Sequence, residues 1–190
     1  MVKSDEELIM DFQKGDANAI GELFQRYKTH VLNFALRFVG NRADAEDVTS
    51  EVFVALLKKT YQLVEGAMFK TYLFTLAKNA AFSKMRKRKN MTNFWFMDKT
   101  GEMKEWDIPD TRELPLEEIA RVEMEKQVRA AINKLPEEQQ LAIILREYQS
   151  LSYKEIADVM VCSLDQVRIL IYRAREFLRV QISSQKGEEI

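Results

Sequence analysis

Two short segments near the C-terminus restrict the fold of this 190-residue chain more than any other feature. Ser152-Tyr153-Lys154-Glu155 and Ser163-Leu164-Asp165-Gln166 start eleven residues apart, and each opens a run of apolar residues at helical spacing. A serine that accepts from the backbone N–H three residues on, with a Glu or Gln there returning a bond, marks a helix start. Two starts this close predict two short helices with a tight turn between them. Ala157 falls where the first helix must admit its partner, and Val167, ten positions later, faces the same core. This is the spacing of a helix-turn-helix that reads DNA. In its second helix Val167, Leu170, Ile171, Ala174 and Leu178 make the buried stripe. Asp165, Gln166, Arg168, Ile169, Tyr172, Arg173, Arg175 and Arg179 lie elsewhere on the surface.

A basic outward face suggests a nucleic-acid partner, and the formal net charge of −1 would oppose that if it were evenly spread. Residues 58–89 instead carry nine Lys/Arg against one acidic residue, Glu65, whereas residues 90–125 carry four basic and ten acidic. Exposed charges are largely screened beyond roughly 8 to 10 Å, so the local block decides what a surface attracts. No apolar run approaches the roughly 20 residues of a membrane span, and the N-terminus shows no secretory pattern, which predicts a cytoplasmic protein. The single cysteine, Cys162, rules out an internal disulfide and a thiolate metal cage, and reads as a small apolar turn residue. No metal or cofactor is expected.

Apolar residues recur at three and four rather than at two, which predicts an all-α chain. Helices are expected from about Asp5 to Lys14, Ala17 to Val39, Ala43 to Thr60 and Met68 to Lys89. Gly40 stops the second, and Asn41 with Asp44 caps the third. Their stripes must bury against one another, giving one domain over residues 1–90. Residues 91–116 hold Gly101, Pro109, Pro115 and the acidic excess, and read as a flexible linker. Phe94, Trp95 and Phe96 within it are apolar enough to dock on a domain or a partner. A second domain spans 117–183, with Pro136 in a helix's first turn, and residues 184–190 form a fraying tail.

The chain resembles the extracytoplasmic-function subfamily of the sigma-70 sigma factors, two-domain specificity subunits of bacterial RNA polymerase. The resemblance rests on Ala43-Asp44-Ala45-Glu46-Asp47-Val48 followed by Glu51-Val52-Phe53, and on Phe69 to Asn79 running into Arg86-Lys87-Arg88. It continues at Leu135 to Gln139, Leu151 to Ala157 and Tyr172-Arg173-Ala174-Arg175. It implies a four-helix sigma-2-like domain and a sigma-4-like helix-turn-helix domain joined by the acidic linker. Asp44, Glu46, Asp47, Glu51 and Phe53 would face a basic coiled coil of core polymerase. Carboxylates in a helix's first turn also gain ~0.3 to 1 kcal/mol each from the macrodipole alone. The downstream promoter element would meet Lys59, Lys70, Tyr72, Lys78, Asn79, Lys84, Arg86 and Arg88, with Tyr61, Gln62 and Leu63 around an unstacked base. Core packing is as good an account of Tyr72 as DNA contact. The upstream element would meet Ser163, Asp165, Gln166, Arg168, Ile169, Tyr172, Arg173 and Arg175. An anti-sigma factor is a further implied partner. The linker would thread the polymerase channel, or serve as a plain tether.

Three positions depart from the family pattern. Val161 stands where many relatives carry Gly, and a β-branched residue there predicts a turn with ordinary backbone angles. Leu170 replaces a frequent basic residue, and Asp165 brings a negative charge that can accept from a cytosine amino group or reject other bases. The upstream specificity is therefore expected to be unusual. Two other functions fit the residues less well. A free-standing helix-turn-helix regulator would need a self-complementary dimer surface, and no zipper-like repeat is visible. A metal-dependent phosphodiesterase on Asp44, Glu46, Asp47 and Glu51 has one histidine, His30, to draw on and no second carboxylate cluster.

Overall fold

Ser4 begins the first helix through a reciprocal bond pair with Glu7, so that α1 covers Asp5–Gln13. The computed structural model describes residues 3–59, 69–94 and 116–186, and the side chains within them except at 59, 89–94, 116–121 and 184–186. Seven more helices follow: α2 Ala17–Val39, α3 Arg42–Lys59, α4 Phe69–Phe94, α5 Leu116–Asn133, α6 Glu137–Glu147, α7 Tyr153–Met160 and α8 Leu164–Lys186. No strand occurs among the described residues. Contacts divide the chain into two compact units, one holding α1 to α4 and the other α5 to α8.

In the first unit Asp16 caps α2 by accepting from the Asn18 N–H at 3.0 Å. Gly40 ends it in the left-handed region at φ 76°, where glycine carries no Cβ penalty. Asn41 starts α3 as expected: its Oδ1 accepts from the Asp44 N–H at 2.9 Å, and its amide donates to the Asp44 carboxylate at 2.8 Å. The core joins Leu23, Val31, Phe34 and Ala35 of α2 to Val48, Val52 and Leu56 of α3 and Phe69, Leu73, Phe74 and Ala77 of α4. Aromatic rings seat the helices edge to face, Phe34 on Phe74 at 5.5 Å and Phe38 on Phe82 at 5.5 Å. α1 is strapped on from outside its apolar face. Arg26 donates to Asp5 at 2.8 Å and to the Lys3 carbonyl at 2.7 Å, and Tyr27 Oη donates to the other Asp5 oxygen. Burial, with Asp5 beside it, pushes the Tyr27 phenol well above its ordinary value.

In the second unit α6 is buried over a continuous run, Leu141, Ala142, Ile143, Ile144 and Leu145, between α7 and α8, and α8 is the helix that packs on the other three. α7 adds Ile156, Ala157 and Val159, and α8 adds Val167, Ile171 and Ala174. Leu170 and Leu178, assigned to the same stripe, are half-buried at its margins.

Three expectations about helix ends change. α4 runs on to Phe94, so the first residues assigned to the linker are helical, consistent with the absence of Gly or Pro before Gly101. Trp95 and Phe96 lie outside the described residues, as does residue 60, expected to close α3. The second helix of the pair is long rather than short, with α8 continuing to Lys186 beyond the expected fraying point at Ser183. Residues 187–190 of the expected tail are outside the described set.

Candidate nucleic-acid interface

Both predicted capping boxes are present. Glu155 N–H donates to Ser152 Oγ at 3.2 Å while Ser152 N–H donates to the Glu155 carboxylate at 2.7 Å. Ser163 and Gln166 repeat the pair at 3.2 and 2.8 Å. Between them the chain turns through Val161 at φ 56° and ψ 51°, the left-handed region. The expectation of ordinary backbone angles there is therefore wrong. Cys162 N–H donates to the Ala157 carbonyl at 3.0 Å, and Val161 N–H reaches the Asp158 carbonyl at 3.4 Å. These bonds satisfy carbonyls that the end of α7 would otherwise leave without partners, and they require positive φ whatever residue occupies the position. Val161 is 83% exposed, so its side chain meets no packing conflict in that conformation.

Arg146 fixes the turn before α7, donating from Nη1 to the Leu151 carbonyl at 2.8 Å with its guanidinium over the Tyr153 ring at 5.2 Å. Neither contact is readable from spacing, because Arg146 looks like an ordinary exposed helix residue.

The eight upstream candidates all fall on the first half of α8 or its cap, but they are not equally available. Ser163 and Gln166 are engaged by the cap. Arg175 donates to Glu147 of α6 at 2.7 Å, a partner 28 residues away that no local pattern marks. Arg168 donates to Asp165 at 2.7 Å along the same helix. Ile169, Tyr172 and Arg173 are exposed, the first two at 50% and 67%. Exposed apolar side chains beside basic ones suit a major groove, where thymine methyls and phosphates lie close together.

The first unit's candidates are spread over α3 and α4. Glu46 is exposed and paired with Arg42 at 2.8 Å, and Glu51 is exposed. Phe53 faces inward, 7% exposed, with its ring edge-on to Phe24 at 4.7 Å. Its structural contribution is to pack α3 on α2. Lys84 of α4 lies 3.0 Å from Asp44 and 2.8 Å from Asp47, so a residue assigned to DNA neutralises two assigned to polymerase. The Asn41 amide, and after it Lys84, hold the Asp44 carboxyl below its usual range against the opposing effect of burial. Arg88 donates to the carbonyl of Val39 at the end of α2, at 3.2 Å, where a cation meets the negative end of the helix dipole. Arg86 and Asn79 are exposed, while Lys70, Tyr72 and Lys78 are half-buried. Burial raises the Tyr72 phenol, in keeping with a ring that packs along the helix surface. The Lys59 side chain and all of Tyr61, Gln62 and Leu63 lie outside the described residues. Among the described residues no three His, Cys, Asp or Glu side chains form a group able to hold a metal ion. No described helix is long and apolar enough to cross a membrane.

With this geometry in place, comparison with known proteins separates the two units by family. The model for sigma-70 region 2 matches residues 23–91, and that for sigma-70 region 4 matches residues 125–178. The chain is 33% identical over 180 residues to the RNA polymerase sigma-H factor of Pseudomonas aeruginosa, covering 92% of this chain and 91% of that protein. It is 32% identical over 191 residues to the ECF RNA polymerase sigma-E factor of Haemophilus influenzae, covering 94% and 95%. Its fold is similar to that of the sigma factor RpoE of Bartonella quintana, solved with the anti-sigma factor NepR, at a TM-score of 0.67 and 22% identity over 86% of this chain and 96% of that one. The chain thus belongs to the extracytoplasmic-function subfamily of sigma-70 RNA polymerase sigma factors, initiation factors that recognise promoters and open the DNA there.

Proposed function

We propose that this chain docks on core RNA polymerase through the N-terminal half of α3, holds the downstream promoter element with α4 and residues 60–68, and places α8 in the major groove of the upstream element. The observation that carries this reading is the order of the two matched regions on one chain, region 2 on the unit with the acidic helix start and the basic α4, region 4 on the helix-turn-helix. Asp44, Glu46, Asp47 and Glu51 supply charge complementary to a basic partner, which speeds and orients docking more than it adds affinity. Lys70, Lys78, Asn79, Arg86 and Arg88 lie along α4 for phosphates of the opened strand, and Tyr61, Gln62 or Leu63 takes the unstacked base. Residues 1–90 and 117–183 act as the two promoter-binding domains, with 91–116 as the connection between them. The factor works in the cytoplasm with polymerase, performs no catalysis of its own and is held in reserve by an anti-sigma factor.

The deciding experiment adds purified protein to core polymerase and looks for promoter-specific RNA. Transcripts should require both components, and the two should co-elute from a sizing column; failure to associate would refute the reading. The docking assignment has its own test in the double reversal Asp44→Lys with Asp47→Lys, which should weaken core binding. That variant also loses the Lys84 pairs, so Lys84→Met is its control: it removes the same pairs and leaves both carboxylates to the polymerase. Core binding that falls equally in both would show that the ion pairs, not the carboxylates, matter.

A further inference from the structure

Of the eight side chains assigned to the upstream element, the structure leaves few with their hydrogen-bonding edges available. The Gln166 amide oxygen accepts from the Ser163 N–H, so a bidentate grip on adenine would break the cap that starts α8. Arg175 is turned toward Glu147 on α6. Residues advance by about 100° around a helix. With Val167, Ile171 and Ala174 buried, the pole of α8 facing away from the core carries Asp165, Ile169 and Tyr172, with Arg168 on one flank and Arg173 on the other. Asp165 is the N-terminal member of that pole, and the N-terminal residues of a recognition helix are the ones that reach base edges. Its side chain is 82% exposed and bonds Nη1 of Arg168 at 2.7 Å.

We propose that Asp165 and Arg168 act as one reading unit, with Asp165 as the specificity-determining and positioning member. The carboxylate holds Arg168 by Nη1, which leaves the Nε and Nη2 edge of the guanidinium for O6 and N7 of a guanine. The carboxylate's second oxygen accepts from the N4 amino group of a neighbouring cytosine. One turn on, Ile169 meets a thymine methyl. The ligand is therefore duplex DNA with a guanine next to a cytosine, followed by a thymine. A carboxylate facing the groove floor repels phosphates and gives no bond to thymine or guanine, whose major-groove edges carry no donor, so the same residue selects against both at the position it faces. This inference rests on the reading of α8 as the upstream-element helix.

The test uses holoenzyme reconstituted from core polymerase and the full chain, selecting from promoters randomised in the upstream element. Wild type should enrich the guanine and the adjoining cytosine. Asp165→Ala should lose the cytosine preference and reduce the guanine preference, each on the order of tenfold, as expected for a specific base contact. Arg168→Ala should lose the guanine and keep the cytosine. Gln166→Ala should lower the melting temperature without changing the selected bases. If Asp165→Ala selects the same bases as wild type with equal strength, the carboxylate serves only the helix start and the inference fails. If Gln166→Ala shifts a selected base, the elimination of Gln166 fails and the inference with it. Loss of all upstream preference in wild type, with transcription intact, would instead overturn the assignment of α8 itself.

Discussion

In the N-terminal unit several charged side chains nominated as contacts reach across to a neighbouring helix, although Glu46 pairs with Arg42 along α3. Lys84 on α4 bonds Asp44 and Asp47 on α3, and Arg88 on α4 bonds the end of α2. In the C-terminal unit Asp165 pairs with Arg168 along α8, as Glu176 does with Arg179, while Arg175 reaches off the helix to Glu147 of α6. A charge change in the first unit therefore alters a binding surface and a helix-to-helix contact together. In the second it mostly alters the surface, because capping and an apolar stripe already fix the helix pair.

The largest effects should test whether the two units stand on separate cores. Phe34→Ala, at a fully buried ring, should cost about 3 to 5 kcal/mol and Ile156→Ala about 2 to 5 kcal/mol. Hydrogen exchange should localise each loss to its own unit, and protection lost in both from either substitution would dissolve the comparison. Ser152→Ala removes one capping box and should cost ~0.5 to 2 kcal/mol in the second unit only, read by urea denaturation. The cross-helix network should show in acid. A carboxyl whose pKa is lower folded than unfolded gives stability that is present above the unfolded value, near ~3.9, and is lost as pH falls through the folded one. Asp44 is such a group, so the stability gap between wild type and Asp44→Asn should narrow as pH drops from about 6 to about 3. A constant gap would mean the Asn41 and Lys84 contacts contribute nothing. The smallest change is expected from Val161→Gly, which should raise stability by about 0 to 1.5 kcal/mol, read by urea denaturation.

What the sequence made legible follows from range. The Ser152, Ser163, Asn41 and Gly40 signals each act within three to five residues, and each is present in the structure. The helical periods placed the buried stripes because burial repeats at that spacing. Lys84 with Asp47 spans 37 residues and Arg175 with Glu147 spans 28, and no local pattern marks either pair. The resemblance implies an outward-facing Phe53, yet its ring is buried on the side of α3 that carries Val52 and Leu56 and packs on Phe24. The expectation for Val161 fails because side-chain preference alone leaves out the carbonyls of Ala157 and Asp158, whose bonds set the turn.

That valine has a consequence for the unfolded chain. A left-handed conformation costs an L-residue roughly 1 to 2 kcal/mol, while glycine loses more backbone freedom on folding than any other residue, worth roughly 0.5 to 1 kcal/mol. The first penalty falls on the folded valine and the second on the unfolded glycine, so they offset in part and leave about 0 to 1.5 kcal/mol in favour of glycine. A turn of this geometry can therefore be written with either residue at a modest difference in stability. A search for helix-turn-helix pairs that demands glycine would pass over this chain, whereas one that asks for two capped helices eleven residues apart would find it.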